Sequence, residues 1–148
     1  MINFTEKFKI LNEIGQKDGS VKFVINKSDI KNCICHLKNS AEFEADMLLS
    51  IRATDWDDKI ELIYELYSTQ LNERIILSCF LESGNPVAES VISVFKSAAF
   101  DEREIFDLFG VIFEGHKGIK RLLMPNSTVG NPLLKNTGFK DERLAWNE

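Results

Sequence analysis

Two stretches, 59–67 and 73–82, alternate apolar and polar side chains with a period of two. In the first, Ile60, Leu62, Tyr64 and Leu66 fall on one side, with Glu61 and Glu65 on the other. In the second, Ile75, Leu77, Cys79 and Leu81 share a side. Successive side chains of an extended chain point to opposite faces, so this is the pattern of half-buried strands. The link between them is too short for a crossover, which makes the pair an antiparallel hairpin. A third run, 47–53, precedes them, and Asp57-Asp58 supplies the turn. The chain is therefore built around a three-stranded antiparallel meander.

Helical spacing appears on both sides of that meander. Phe4, Phe8, Leu11 and Ile14 share a helical face and Gly15 follows as a stop, so residues 4–14 are expected to be helical. Residues 17–20 read as a turn and 21–25 as a short β-branched strand. Ser28 or Asp29 then caps a helix that buries Ile30, Ile34 and Leu37. After the break at Gly84-Asn85-Pro86, Val91, Val94, Phe95 and Ala98 predict a helix over 87–99. A second helix runs over 101–109, ended by Gly110, and a short strand-like run follows over 111–113. Beyond Leu123, Pro125, Gly130, Pro132 and Gly138 interrupt any period. The fold class is α+β: N-terminal helices, a mostly antiparallel sheet, a helical region and an extended irregular tail. One domain covers 1–124, and 125–148 is a tail whose apolar residues suit a partner's surface or the domain's own.

Composition narrows the function. A net charge of −5 argues against nucleic acid as the main partner, because phosphate binding needs a basic surface. No apolar run is long enough to span a bilayer, and the first residues lack the pattern of a signal peptide. Cys33, Cys35 and Cys79 are then expected to be reduced thiols of a cytosolic chain.

The densest chemistry lies in 101–123. Glu102 and Glu104 are not a converging acid–base pair, since residues two apart on a helix point ~200° from each other. Asp101 reads as an N-cap, and Arg103 and Asp107 as an i,i+4 ion pair. Glu114 and His116, two apart in extended chain, can form a carboxylate–imidazole dyad, although a solvated or subunit-bonding histidine is the commoner use. Cys33-x-Cys35-His36 is a poor metal motif, because Cys-x-x-Cys dominates zinc and iron–sulfur sites. Lys117, Lys120, Arg121 and Lys135 form a local basic patch suited to an acidic partner.

These residues also carry a family resemblance. Glu102-Arg103-Glu104, Asp107-Leu108-Phe109-Gly110, Phe113, Gly115-His116 and Lys120-Arg121-Leu122-Leu123 resemble the signature of the thirty-kilodalton subunit of respiratory complex I, the proton-translocating NADH:quinone oxidoreductase (NADH dehydrogenase). Gly130-x-Pro132-Leu133 and Lys135 resemble the family's tail motif. The same domain occurs in energy-converting [NiFe] hydrogenases and formate hydrogenlyases. This chain departs from the family at Phe100 (usually tryptophan), Lys117 (proline), Asn131 (histidine), Leu134 (arginine) and Asn136 (aspartate). Those departures leave room for the hydrogenase-type relative.

The resemblance implies a subunit without its own active site, peripheral on the cytoplasmic side of the membrane, working in electron transport. It implies no cofactor on this chain; iron–sulfur clusters, and nickel or flavin, sit on partners. Those partners are a hydrogenase-like large subunit and iron–sulfur small subunits. Glu102, Arg103, Glu104, Asp107, Phe109, Gly110, Gly115, His116, Lys120, Arg121, Pro132 and Lys135 are the implied signature and interface residues. Two other classes stay open: a stand-alone small enzyme using the Glu114–His116 dyad, and an adaptor that binds its partner transiently.

Overall fold

A computed structural model describes residues 8–15 and 20–135. Its larger sheet has five strands in the order β1-β2-β5-β4-β3. These are β1 (Ile10–Gly15), β2 (Val21–Ile25), β3 (Met47–Asp55), β4 (Lys59–Ser68) and β5 (Glu73–Glu82). The meander forms as the alternation demands: β3 and β5 both pair antiparallel with β4, with Tyr64 opposite Ile51 and Leu77. One pairing is parallel, β2 with β5, so the chain crosses over between them through α1 (Ile30–Asn39).

The core lies on the face of the sheet that carries Ile60, Leu62, Tyr64, Leu66, Leu77, Cys79 and Leu81, all essentially without exposure. Ile30, Cys33, Ile34 and Leu37 of α1 pack into the same cluster. Cys33 is buried and Cys35 exposed, as expected for residues on different sides of a helix. Burial pushes the Cys33 thiol up to about 12, so it behaves as a small apolar side chain. The opposite face is less solvated than the alternation implies. Glu61 is buried there, accepting hydrogen bonds from Lys22 Nζ at 2.7 Å and Trp56 Nε1 at 3.1 Å.

Two predicted helices are corrected. The described part of 4–14 is a strand, β1, paired antiparallel with β2, and Gly15 is its last residue. A short run with four apolar positions fits either period, and backbone pairing to β2 decides it. Most of the 17–20 turn lies outside the described residues. Nor do residues 87–99 form one helix. Val87–Glu89 is a strand, β6, paired parallel with β7 (Ile112–Glu114). A single turn follows, in which the Phe95 N–H donates to the Val91 carbonyl. Helix α2 (Ala98–Phe109) then begins. Val91, Phe95 and Ala98 are buried as their helical spacing suggests, but one isolated turn and one helix start supply that spacing.

Helix α2 lies against β3, one of the two edge strands of the sheet. Asp101 is within its first turn and is not its N-cap, which is Ser97. The Asp101 carboxylate reaches out and accepts the Ile51 N–H at 2.8 Å. That bond occupies an outward-facing donor of the edge strand, where another chain could otherwise pair. Gly110 ends the helix in the left-handed region at φ 72°, with its N–H bonded to the Phe106 carbonyl. A Cβ there would sit 2.6 Å from Asn131 Oδ1, so the position needs glycine twice over.

Candidate functional site

Asp107 sits in the last turn of α2, where the helix dipole disfavours an anion. It is nevertheless without exposure. The cause lies outside the helix. Its Oδ2 accepts three successive backbone N–H groups, Leu122 at 2.9 Å, Leu123 at 2.7 Å and Met124 at 2.8 Å. Its Oδ1 accepts Arg121 Nη1 at 2.9 Å. Burial alone would raise this carboxyl; the three N–H groups and the guanidinium overcome that and hold its pKa below the usual aspartate value. The expected i,i+4 pair with Arg103 does not form. Arg103 instead donates to the carbonyls of Lys120 and Arg121.

Asp107 and Arg103 together fasten an irregular strap, residues 117–135, to α2. Arg121 adds a bond to the Gly130 carbonyl at 3.1 Å, closing the strap on itself. Asn131 donates to the carbonyls of Phe106 and Asp107 and so satisfies the exposed end of the helix. Leu133 N–H donates to the Leu108 carbonyl, and Lys135 N–H to Asp55 Oδ2 at 2.9 Å. The described part of the tail therefore lies along its own domain, and Leu134 packs against the core. Its backbone faces inward, while Leu122, Leu123, Val129 and Leu133 are exposed, Val129 at 90%. Beside them a shallow cleft of about 320 Å³ runs between β3 and α2, lined by Ala53, Thr54, Ile105, Leu108 and Leu133 among others.

The signature residues thus fall into three groups. Arg103, Asp107, Gly110 and Arg121, together with Pro132 in the strap, belong to the clasp. Glu104, Lys120 and Lys135 are exposed, and Phe109 is half-buried against the core. Glu102, Gly115 and His116 lie outside the clasp. Glu102 is fully buried; its Oε2 accepts Ser90 Oγ at 2.7 Å and its Oε1 accepts the Val91 N–H at 2.8 Å. Those two bonds hold residues 90–91 between β6 and the turn that starts at the Val91 carbonyl, where the helix expected over 87–99 is interrupted. Ser90 had no signal in the sequence, since a serine between two apolar runs looks like many others.

The dyad geometry expected of Glu114 and His116 is not what forms. Gly115 has φ 91°, so the chain is not extended between them. Glu114 is exposed on β7, while His116 Nε2 lies 3.3 Å from the Ala99 carbonyl oxygen. A carbonyl only accepts, so Nε2 carries the proton. Among the described residues no group of three His, Cys, Asp or Glu side chains gathers as for a metal, and no helix is long and apolar enough to cross a membrane.

Residues 23–143 match the family described as respiratory-chain NADH dehydrogenase, 30 Kd subunit. The chain belongs to this family. It is 32% identical over 128 residues to the C subunit of the NADH-quinone oxidoreductase of Trichlorobacter lovleyi, covering 84% of this chain and 78% of the relative. It is 31% identical to the NADH-ubiquinone oxidoreductase subunit 9 of Dictyostelium discoideum, covering 94% of this chain and 71% of the relative. The fold is that of two solved structures. One is a chain of a membrane-bound sulfane sulfur reductase, an archaeal respiratory membrane complex, with TM-score 0.72 and 22% identity over 85% of this chain and 75% of that one. The other is a trypsin-resistant fragment of Nqo5, with TM-score 0.66 and 23% identity over 76% of this chain and 89% of the fragment.

Proposed function

We propose that this chain is a non-catalytic subunit of the hydrophilic arm of a membrane-bound, ion-translocating oxidoreductase of the NADH:quinone type, in the place of the thirty-kilodalton subunit. Its strap docks a hydrogenase-like large subunit, with iron–sulfur small subunits adjoining. The redox cofactors sit on those partners and none on this chain, which is peripheral on the cytoplasmic side of the membrane. The carrying observation is the strap itself. Its backbone is pinned to α2 by Asp107, and its leucines and Val129 are held outward in a fixed array. A pre-ordered apolar surface loses little entropy on binding, which suits a permanent contact. Lys117 and Lys120, both exposed beside it, add charge for an acidic partner surface.

Leu123 is the residue to test, because Arg121 also holds the clasp and its reversal would loosen the strap as well as the contact. Leu123→Asp should leave stability within about 0.5 kcal/mol, as exposed substitutions do. A tagged chain pulled from gently solubilised membranes should bring a hydrogenase-like large subunit and iron–sulfur subunits when wild type, and lose them in the variant. Recovery of the wild-type chain alone would remove the subunit reading. The second reading is the equivalent subunit of an energy-converting [NiFe] hydrogenase or formate hydrogenlyase. It is favoured by Asn131, which stands where the NADH-type tail has histidine and is used here to cap α2. Nickel in the co-purified material would select that reading, and quinone reduction by NADH the first.

A further inference from the structure

The outer edge of β3 is only partly covered. The Ile51 N–H points outward to Asp101, so Ile51 and Tyr64 opposite it are a pair without mutual hydrogen bonds. The register runs unbroken from Ser50 to Asp55, and pairs two residues apart are alike in an antiparallel ladder. Ala53, opposite Leu62, therefore also turns its N–H and its carbonyl away from β4. Among the described residues nothing bonds to those two groups or to the Ile51 carbonyl. Chain covers the edge on either side of this gap. Asp101 meets it at Ile51, and the strap meets it at Asp55, whose Oδ2 accepts the Lys135 N–H. An open edge between two covers is a template for another strand.

The gap opens into the cleft of about 320 Å³ between β3 and α2. One wall is the edge itself, from Ile51 to Thr54. The other is apolar, made by Ile105 and Leu108 of α2 and by Leu133 of the strap. The two charges that line the cleft are not equal. Arg52 is neutralised by Glu65, with Nη2 3.0 Å from Oε2. Glu104 is exposed and has no ion pair among the described residues, so the rim carries a negative charge.

We propose that this cleft is a strand-addition site for an extended segment of the large subunit that the strap docks, one that carries an apolar residue beside a basic one. The proposal rests on the docking role given to the strap above. The occupant is polypeptide, because the unpaired groups are those of a strand edge. Laid antiparallel, one of its residues accepts the Ala53 N–H and donates to the Ala53 carbonyl; laid parallel, it accepts the Ala53 N–H and donates to the Ile51 carbonyl. Its apolar side chain enters the wall of Ile105, Leu108 and Leu133, and its basic side chain answers Glu104 at the rim. Backbone bonds supply affinity in this mode of recognition, and the pockets for side chains supply selectivity. The segment belongs to the strap's own partner because the two surfaces are continuous. Leu133 is at once part of the exposed strap and part of the cleft wall, and its N–H is fastened to the Leu108 carbonyl.

The experiment is co-purification of the tagged full chain from gently solubilised membranes, as wild type, Leu123→Asp and Ala53→Pro. Proline removes the Ala53 N–H, and an edge strand tolerates it where the N–H faces outward, since the sheet loses no ladder bond. Ala53→Pro should lower recovery of the large subunit at least fivefold, while proteolysis of the strap keeps its wild-type rate. Benzoylphenylalanine in place of Thr54, in the otherwise unchanged chain, should photo-crosslink to one short segment of the large subunit that holds the apolar and basic residues. Wild-type recovery with Ala53→Pro, alongside loss with Leu123→Asp, overturns strand addition and leaves strap docking standing. Recovery of the wild-type chain alone removes both. A crosslink to residues 136–148 of the same chain, to a second copy or to nothing also overturns the proposal, and the crosslink decides the matter if Ala53→Pro does not fold.

Discussion

Glu102 and Asp107 are carboxylates on one helix, five residues apart, and neither has any exposure. Five residues turn a helix by ~140° beyond a full circle, so they face different neighbours. Asp107 meets three N–H donors and a guanidinium and is held ionised. Glu102 meets one N–H and one hydroxyl, and burial raises its pKa. Burial by itself therefore does not set the state of an acid. The number and charge of donors aimed at it does.

The strongest way to break the contrast between the two acids is to remove the clasp. Asp107→Ala leaves three strap N–H groups and Arg121 without their acceptor and should cost about 3–5 kcal/mol, as removing one partner of a buried ion pair does. Urea unfolding measures that cost, and limited proteolysis should cut within 117–135 first. A loss under about 1 kcal/mol would mean that other contacts hold the strap.

The same two acids should respond to pH with opposite signs. The lowered pKa of Asp107 gives stability that is present above the ordinary aspartate value, about 3.9, and lost as pH falls through its folded value. The raised pKa of Glu102 gives stability that is complete below the ordinary glutamate range and lost as pH rises through its folded value. Asp107→Asn should flatten the acid limb of a stability profile, and Glu102→Gln the limb at higher pH. Two variants with the same profile would erase the distinction.

Glu102→Ala should cost about 2–3 kcal/mol, since it strands the Val91 N–H and the Ser90 hydroxyl in the core. Glu102→Gln keeps a donor and an acceptor in place and should cost under about 1 kcal/mol at neutral pH. Near-equal losses in the two variants, read from chemical denaturation, would show that hydrogen bonding does not govern the site. Gly110→Ala should cost about 1–2 kcal/mol, because it combines a left-handed backbone with a 2.6 Å approach to Asn131. At the low end, Lys135→Ala should change stability by less than about 0.5 kcal/mol, because the Lys135–Asp57 pair is exposed and 3.4 Å long. A larger loss there would mean that the end of the strap matters as much as its clasp.

Much of this was legible in the chain. The meander, α1 and its buried face, the stop at Gly110 and the short strand near 112 all follow from local periodicity and turn chemistry. So did the family, because its signature is a spacing of residue types. The signature's purpose was not legible. Asp107 looked like half of an i,i+4 pair with Arg103, although an acid in the last turn of a helix was a sign of an outside partner. Its actual donors are fourteen to seventeen positions further on.

Local sequence alone settles whatever is set within a few residues: strands from a period of two, one helix face, and a helix end at a glycine. Packing decided which acids are buried, which one meets enough donors to stay charged, and where the helix expected over 87–99 breaks. The physical reason is the same in each case. A backbone N–H or a carboxylate must be satisfied wherever it is buried, and the group that satisfies it is chosen by packing between distant segments, not by its neighbours in the chain.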